Sequence, residues 1–189
     1  MRIIAGVAKG RTLGDVAEVT RPTSDRAREG LFSSLTSEFG DFLGVHVLDM
    51  FAGSGAIGLE ALSRGAAIVN LIERDPNAQK TIENNFELVK KNQPVGKFHL
   101  YSMSVQRFVS ELPKEKYHIV YIDPPFDFAE NEIKEVLAKL HTGAFLNEGA
   151  LLAIERTARS FPFIWPDGFA PVRQRNYGAA SIFFGNYAP

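Results

Sequence analysis

The stretch that most constrains this chain is Val47-Leu48-Asp49-Met50-Phe51-Ala52-Gly53-Ser54-Gly55-Ala56-Ile57-Gly58-Leu59-Glu60. An apolar run closes on an acid, breaks into glycines and resumes with the apolar spacing of a helix. That order predicts a buried parallel strand, a tight turn and a helix. Gly53 and Gly55 permit positive φ and let the backbone approach a ligand closely. The helix start behind them presents unpaired N–H groups to the same ligand. A turn of this kind suits a nucleotide-type cofactor.

Two cofactor chemistries compete for it. Gly53-x-Gly55-x-x-Gly58, with Glu73 near the position of a ribose-binding acid, satisfies the dinucleotide fingerprint and keeps an NAD-dependent oxidoreductase open. Two features point elsewhere. Asp49 puts a carboxylate inside the strand end, where a dinucleotide fold usually keeps an apolar residue. Asp123-Pro124-Pro125-Phe126 closes a later strand, and hydride transfer does not call for it. The combination resembles S-adenosylmethionine-dependent methyltransferases that act on exocyclic amino groups of nucleobases.

The rest of the chain supplies the sheet. Residues 1–22 alternate without long periodicity, with turns at Gly10 and Gly14, and predict a small N-terminal β-hairpin arm. From Thr23 the period changes: Ala27, Leu31, Leu35 and Phe39 make a helical stripe, with Thr23 or Ser24 as its N-cap. Gly30 interrupts it at a cost of about 1 kcal/mol relative to Ala, so a neighbour there needs the space. Predicted strands follow at His46–Phe51, Ile68–Glu73, Lys97–Ser102, Tyr117–Ile122 and Ala150–Glu155. Helices alternate with them: one from Ala56 to about Arg64, one capped by Asp75 and buried through Ala78, Ile82, Phe86 and Val89, one buried through Val105, Phe108, Val109 and Leu112, and one through Ile133, Val136, Leu137 and Leu140. Two last strands around Tyr177-Gly178 are close enough to pair as an antiparallel hairpin. The expected architecture is α/β: a doubly wound, Rossmann-like methyltransferase sheet with an antiparallel edge strand, divided as an arm (1–22) and a methyltransferase domain (23–189). Ligands of such sheets lie beyond the C-terminal strand ends, and Asp49, Gly53, Glu73, Ser104 and Asp123 all map to that rim.

At 189 residues, 45% apolar and 23% charged, the chain can bury a real core. It has no apolar run of the roughly 20 residues that span a bilayer, and its first residues do not read as a signal peptide. It lacks cysteine, which removes disulfides and thiolate metal sites and fits a cytoplasmic location. His46, His99, His118 and His141 lack metal-ligand spacing, so no metal is expected. A net charge of −1 is not that of a general nucleic-acid binder, yet Arg2, Lys9, Arg11, Arg21, Arg26 and Arg28 crowd the first thirty residues against four acids.

The chemistry implied by Asp123-Pro124-Pro125-Phe126 follows from the substrate. A nucleobase amino group is a poor nucleophile because its lone pair is delocalised into the ring. A carboxylate (Asp123) and a backbone carbonyl (Pro124), held beside its two N–H bonds, would orient it by accepting both hydrogens. Consecutive prolines fix φ and keep the preceding residue extended, which prearranges both acceptors. Phe126 offers a face on which an extruded base can stack. Glu73 suits the ribose hydroxyls. Asp49 suits bound waters or the methionine ammonium, or else caps the glycine turn.

Several motifs occur in one order: Met1-Arg2-Ile3-Ile4-Ala5-Gly6 with Lys9-Gly10-Arg11, Arg21-Pro22-Thr23-Ser24-Asp25-Arg26-Ala27-Arg28-Glu29, Leu48-Asp49-Met50-Phe51-Ala52-Gly53-Ser54-Gly55, Asp123-Pro124-Pro125-Phe126, and Arg175-Asn176-Tyr177-Gly178. Together they resemble the RsmD family of bacterial 16S rRNA (guanine-N2)-methyltransferases over nearly the whole chain. The resemblance implies S-adenosylmethionine as cofactor, the N2 amino group of a guanine as acceptor, and 16S rRNA within an assembled or partly assembled small subunit as partner; the chain is expected to act as a monomer. It implies a catalytic loop of Asp123, Pro124, Pro125 and Phe126. Cofactor contacts are expected from Asp49, Phe51, Gly53, Ser54, Gly55, Glu73, Arg74, Ser104 and Asp123, and RNA contacts from Lys9, Arg11, Arg21, Thr23, Arg26 and Arg28. One departure stands out: Ser102-Met103-Ser104 occupies the region where the family pattern places an aspartate for the adenine amino group. Ser104 can accept that hydrogen bond without charge assistance. A noncatalytic RNA-binding protein on a retained methyltransferase fold is the other alternative, since it would explain the basic arm and the altered adenine site.

Overall fold

Apolar runs long enough for a strand and too short for a helix recur between amphipathic segments, and they assemble into one sheet. A computed structural model describes residues 1–16, 25–91, 95–158 and 162–189. Its strands are β1 (His46–Asp49), β2 (Ile68–Glu73), β3 (Lys97–Ser102), β4 (Tyr117–Ile122), β5 (Leu146–Thr157), β6 (Phe169–Tyr177) and β7 (Ala180–Tyr187). The helices are α1 (Asp25–Phe39), α2 (Ala56–Ser63), α3 (Pro76–Lys90), α4 (Val105–Phe108) and α5 (Glu130–Thr142). The sheet order is β3-β2-β1-β4-β5-β7-β6. Strands β1 to β5 pair in parallel, and β7 runs antiparallel to both β5 and β6. The reversed strand therefore lies one place in from the edge, with β6 outermost. Chain order reverses between β1 and β4, where Asp49 stands opposite Tyr121. That places the switch point two residues before Asp123.

The pleat sorts the side chains into two cores. Val47 and its equivalents pack with Leu31, Phe32, Ile57, Leu59 and Ile82 on one face, and Leu48 packs with Phe108, Ile133, Val136 and Leu140 on the other. Asp49 falls on the first face by alternation, so its carboxylate points under α2. Helix α3 starts as predicted: Asp75 accepts hydrogen bonds from the Asn77 and Ala78 N–H groups, with Pro76 at the first helical position.

Several expectations need correction. Helix α4 ends at Phe108, and Leu112 is 92% exposed instead of buried. Pro113 follows Leu112 and disfavours helical φ,ψ at the residue before it. Phe86 is only half-buried; it stacks on Phe98 at 4.1 Å, and the inward position beside it belongs to Asn85. Helix α1 buries Arg28 and Phe32 beside the expected Ala27, Leu31 and Leu35. Its proposed N-caps, Thr23 and Ser24, and the 22/23 boundary lie outside the described residues. Gly30 has its reason: a Cβ there would come within 2.2 Å of the Tyr177 ring, which packs the C-terminal hairpin onto α1.

The first residues make one isolated bridge. Arg2 bridges Thr12, the Ile3 N–H donates to the Arg11 carbonyl, and the Leu13 N–H donates to that of Met1. This is one short antiparallel pairing, and it does not stand away from the domain. Ile3, Ala8 and Leu13 are buried in the same core as α1 and α2.

Candidate active site

The rim is built around two buried or half-buried carboxylates that organise backbone N–H groups. One oxygen of Asp49 accepts from the Gly58 N–H at 3.2 Å, across the glycine turn. Its other oxygen is buried with no hydrogen-bond partner among the described residues. Burial pushes the Asp49 carboxyl up to about 7, with the Glu73 charge adding to the rise and backbone donors opposing it. Glu73 ties two loops together: it accepts from the Gly53 N–H at 2.9 Å and from the Asp75 N–H at 2.9 Å. The turn itself is left-handed at Gly53 (φ 55°) and Gly55 (φ 79°). A Cβ at Gly53 would meet nothing of the described residues within 4 Å, so among them open space lies directly over this backbone. Gly58 differs, because a Cβ there would reach Leu71 at 2.8 Å; it lets α2 lie close on β2.

These features fit a cofactor carrying a ribose and an ammonium. The unsatisfied Asp49 oxygen is a buried acceptor without a donor, a state that costs free energy until a partner arrives. Glu73 keeps lone pairs beyond the two N–H groups it accepts. Arg74 is exposed just beyond it. Ser104 sits at the rim, where its hydroxyl accepts from the Arg107 N–H at 3.3 Å as the N-cap of α4. Its capping role uses one lone pair and leaves the other for a ligand.

The second loop leaves β4. Asp123 is half-buried, Pro124 buried, and Pro125 and Phe126 exposed, Phe126 by 79%. The loop turns back through a hydrogen bond from the Phe128 N–H to the Pro125 carbonyl at 2.9 Å. Two contacts brace it. Phe128 meets Phe51 edge-to-face at 5.1 Å, joining this loop to the glycine turn. Arg156, from β5, donates to the Phe128 carbonyl at 3.3 Å. Beneath the loop, the Tyr121 hydroxyl donates to the buried Glu155 carboxylate, whose pKa burial raises. Asp49, Phe51, Gly53, Ser54, Gly55, Glu73, Ser104 and Asp123 thus share one end of the sheet.

The basic residues separate into different classes. Lys9 and Arg26 are exposed. Arg11 donates to the carbonyls of Leu88, Val89 and Lys91, so its guanidinium closes the C-terminal end of α3. Arg28 is wholly buried, donating to the Arg2 carbonyl at 2.9 Å and to Asp25 at 2.6 Å. The Arg28 guanidinium thus faces protein groups here, unlike the exposed Lys9 and Arg26. Arg21 and Thr23 lie outside the described residues.

Three polar groups without a role in the sequence reading hold the first residues against α2 and α3. Glu60, fully buried in α2, accepts from the Ile4 and Ala5 N–H groups and from Arg64. The Ser63 hydroxyl accepts from the Ala8 N–H and donates to the Ala5 carbonyl. Asn85, buried in α3, bonds both Gly14 and Ser54. Each replaces an apolar residue on an inward helix face, the only hint available in the sequence.

The chain is similar to known proteins over nearly its whole length. A family model described as conserved hypothetical protein 95 matches residues 1–186. The ribosomal RNA small subunit methyltransferase D of Haemophilus influenzae is 32% identical over 184 residues, covering 96% of this chain and 91% of that protein. A putative rRNA methyltransferase of Bacillus subtilis, YlbH, is 34% identical over 82% of each chain. Among solved structures, a putative methyltransferase of Escherichia coli, yhhF, superposes with a TM-score of 0.83 at 30% identity, covering 100% of this chain and 98% of that one. The fold extends to a magnesium protoporphyrin IX methyltransferase of Synechocystis, solved with S-adenosylmethionine bound (TM-score 0.63, 12% identity, 85% of this chain and 78% of that one).

Proposed function

This chain belongs to the family of conserved hypothetical protein 95, the RsmD family of small-subunit rRNA methyltransferases, and from that premise we propose how its own residues carry the reaction. The enzyme transfers a methyl group from S-adenosylmethionine to the exocyclic N2 amino group of a guanine in 16S rRNA. The observation that carries the residue assignment is the meeting of two loops at the switch point. A glycine turn with an unsatisfied buried carboxylate stands beside an Asp-Pro-Pro-Phe loop, joined through Phe51 and Phe128.

Asp49, Phe51, Gly53, Ser54, Gly55, Glu73, Arg74 and Ser104 form the cofactor wall, with Asp49 receiving the ammonium and Glu73 the ribose hydroxyls, and Asp123 borders it from the second loop. When bound, the cofactor supplies an activated methyl on a good leaving group. The protein's part is then positioning and electrostatics. The Asp123 carboxylate and the Pro124 carbonyl accept the two N–H groups of the guanine amine and turn its lone pair toward the methyl. Phe126 stacks on the extruded base, and its exposure leaves its face available. Arg156 and Phe128 hold the loop in place. Lys9 and Arg26 meet RNA phosphates, whereas Arg11 shapes the arm from within. The acceptor RNA is presented by an assembled or partly assembled small subunit, and the enzyme works as a monomer in the cytoplasm.

The test has two arms. Melting curves with S-adenosylhomocysteine and with NAD separate the cofactors, because a ligand of the native state raises the melting temperature by mass action. Tritiated methyl transfer to small subunits lacking the modification, followed by nucleoside identification, reads the acceptor. Stabilisation by S-adenosylhomocysteine and labelled N2-methylguanosine are expected. Stabilisation by NAD alone, or label on another nucleoside, would overturn the assignment.

A further inference from the structure

The arm and the cofactor turn are far apart in sequence yet share one side chain. Asn85 is 1% exposed on the inner face of α3. Its Oδ1 accepts from the Gly14 N–H at 2.7 Å, and its Nδ2 donates to the Gly14 carbonyl at 2.9 Å and to the Ser54 carbonyl at 2.9 Å. One donor and two acceptors allow a single orientation of the amide, since only Nδ2 can serve the carbonyls and only Oδ1 the N–H. Both Nδ2 hydrogens are engaged. The amide is rigid and planar, so a displacement of the Ser54 carbonyl reaches Gly14 without an intervening rotatable bond beyond the side chain's own torsions.

Around this link the arm is fastened to the two helices that flank the glycine turn. Glu60 and Ser63 of α2 hold Ile4, Ala5 and Ala8, and Arg11 closes the end of α3. Gly14 is the arm residue that Asn85 holds, and α1, which begins at Asp25, carries the exposed Arg26. Apolar packing would fasten the arm equally well, as Ile3 and Leu13 do. A buried amide adds a directional tie to one particular carbonyl of the turn, at the cost of desolvating it.

We infer that Asn85 is a positioning residue that couples occupancy of the Gly53-Ser54-Gly55 turn to the order of the N-terminal arm. The inference rests on the proposed placement of the cofactor at that turn. Cofactor that settles the turn fixes the Ser54 carbonyl, hence the Asn85 amide, hence the Gly14 end of the arm. By reciprocity, RNA that holds the arm raises cofactor affinity by the same factor.

Hydrogen exchange of the full chain with and without S-adenosylhomocysteine tests this, with calorimetry confirming that the ligand binds. In the wild type, cofactor should slow exchange several-fold at Gly14, Asp15 and Val16, which lie in the arm. Asn85→Asp keeps the acceptor for the Gly14 N–H and replaces both donated bonds with carboxylate–carbonyl repulsion; Asn85→Leu removes all three bonds at similar volume. In whichever of these variants folds and still binds the ligand, slowing should persist at the glycine turn and vanish at the arm. A purely structural Asn85 would make the arm exchange faster in both ligand states and leave the several-fold ligand effect intact, which overturns the inference. Wild-type protein that binds the ligand without any change at residues 14–16 overturns it with no variant needed. Failure of the ligand to bind at all would instead count against the cofactor assignment.

Discussion

The two loops at the switch point are built in opposite ways. The glycine turn is cross-braced from below: Asp49 holds Gly58, Glu73 holds Gly53 and Asp75, and Asn85 holds Ser54. The Asp-Pro-Pro-Phe loop is stiffened by its own prolines and by contacts at Phe128, and it leaves Pro125 and Phe126 in solvent. A cofactor is the same small molecule in every cycle, so a prebuilt wall lowers the ordering cost of binding it. An RNA brings its own extended surface, and under the proposed assignment a stiff exposed tip would meet it without burying protein beforehand. Binding of the cofactor and handling of the base should therefore fail separately.

The sharpest break is Asp123→Ala. Removing a preorganised acceptor for the reacting amine should lower methyl transfer roughly a hundredfold or more. Cofactor affinity by calorimetry should stay close to wild type. A variant that turns over normally would take Asp123 out of the chemistry, and one that loses cofactor binding would merge the two loops into one function.

Asp49 tests the braced side through pH. Its native pKa of about 7 lies above the ordinary 3.8, so the folded protein holds this proton longer than the unfolded chain. On this group's account, stability without ligand is full below about pH 4 and declines as pH rises toward about 7. A cation beside Asp49 favours the ionised form, so cofactor binding should release a proton. Affinity should then climb with pH up to about 7, by as much as about tenfold per unit, and level off above it. Asp49→Asn should flatten both profiles. Unchanged profiles in that variant would assign the titration to another group.

The smallest effects divide the arm itself. Lys9→Ala should leave stability unchanged and reduce the salt slope of RNA binding by about one unit. Arg11→Ala should do the reverse, costing about 1–2 kcal/mol of stability through the helix-end carbonyls it leaves unpaired, with the salt slope intact. Equal behaviour of the two variants in salt titrations and melting curves would erase the distinction drawn between them.

Much of this was legible in the residues alone. Strand and helix alternation, the cap at Asp75 and Pro76, and the gathering of Asp49, Gly53, Glu73 and Asp123 at one rim follow from local rules: apolar period, capping chemistry and the geometry of parallel sheets. Those rules act over a few residues or one βα unit, so the sequence carries them openly. Tertiary structure decided the fate of the arginines and the polar residues on inward helix faces. Arg28 and Arg11 look like Lys9 and Arg26 in a list of basic residues, yet two are bound to backbone carbonyls and two are exposed. Glu60 and Asn85 interrupt inward apolar helix faces, and their partners appear only when the arm, more than fifty residues away in sequence, folds over them. What a charged or amide group does depends on which backbone donors and acceptors surround it after the chain closes, and that long-range pairing is set by packing.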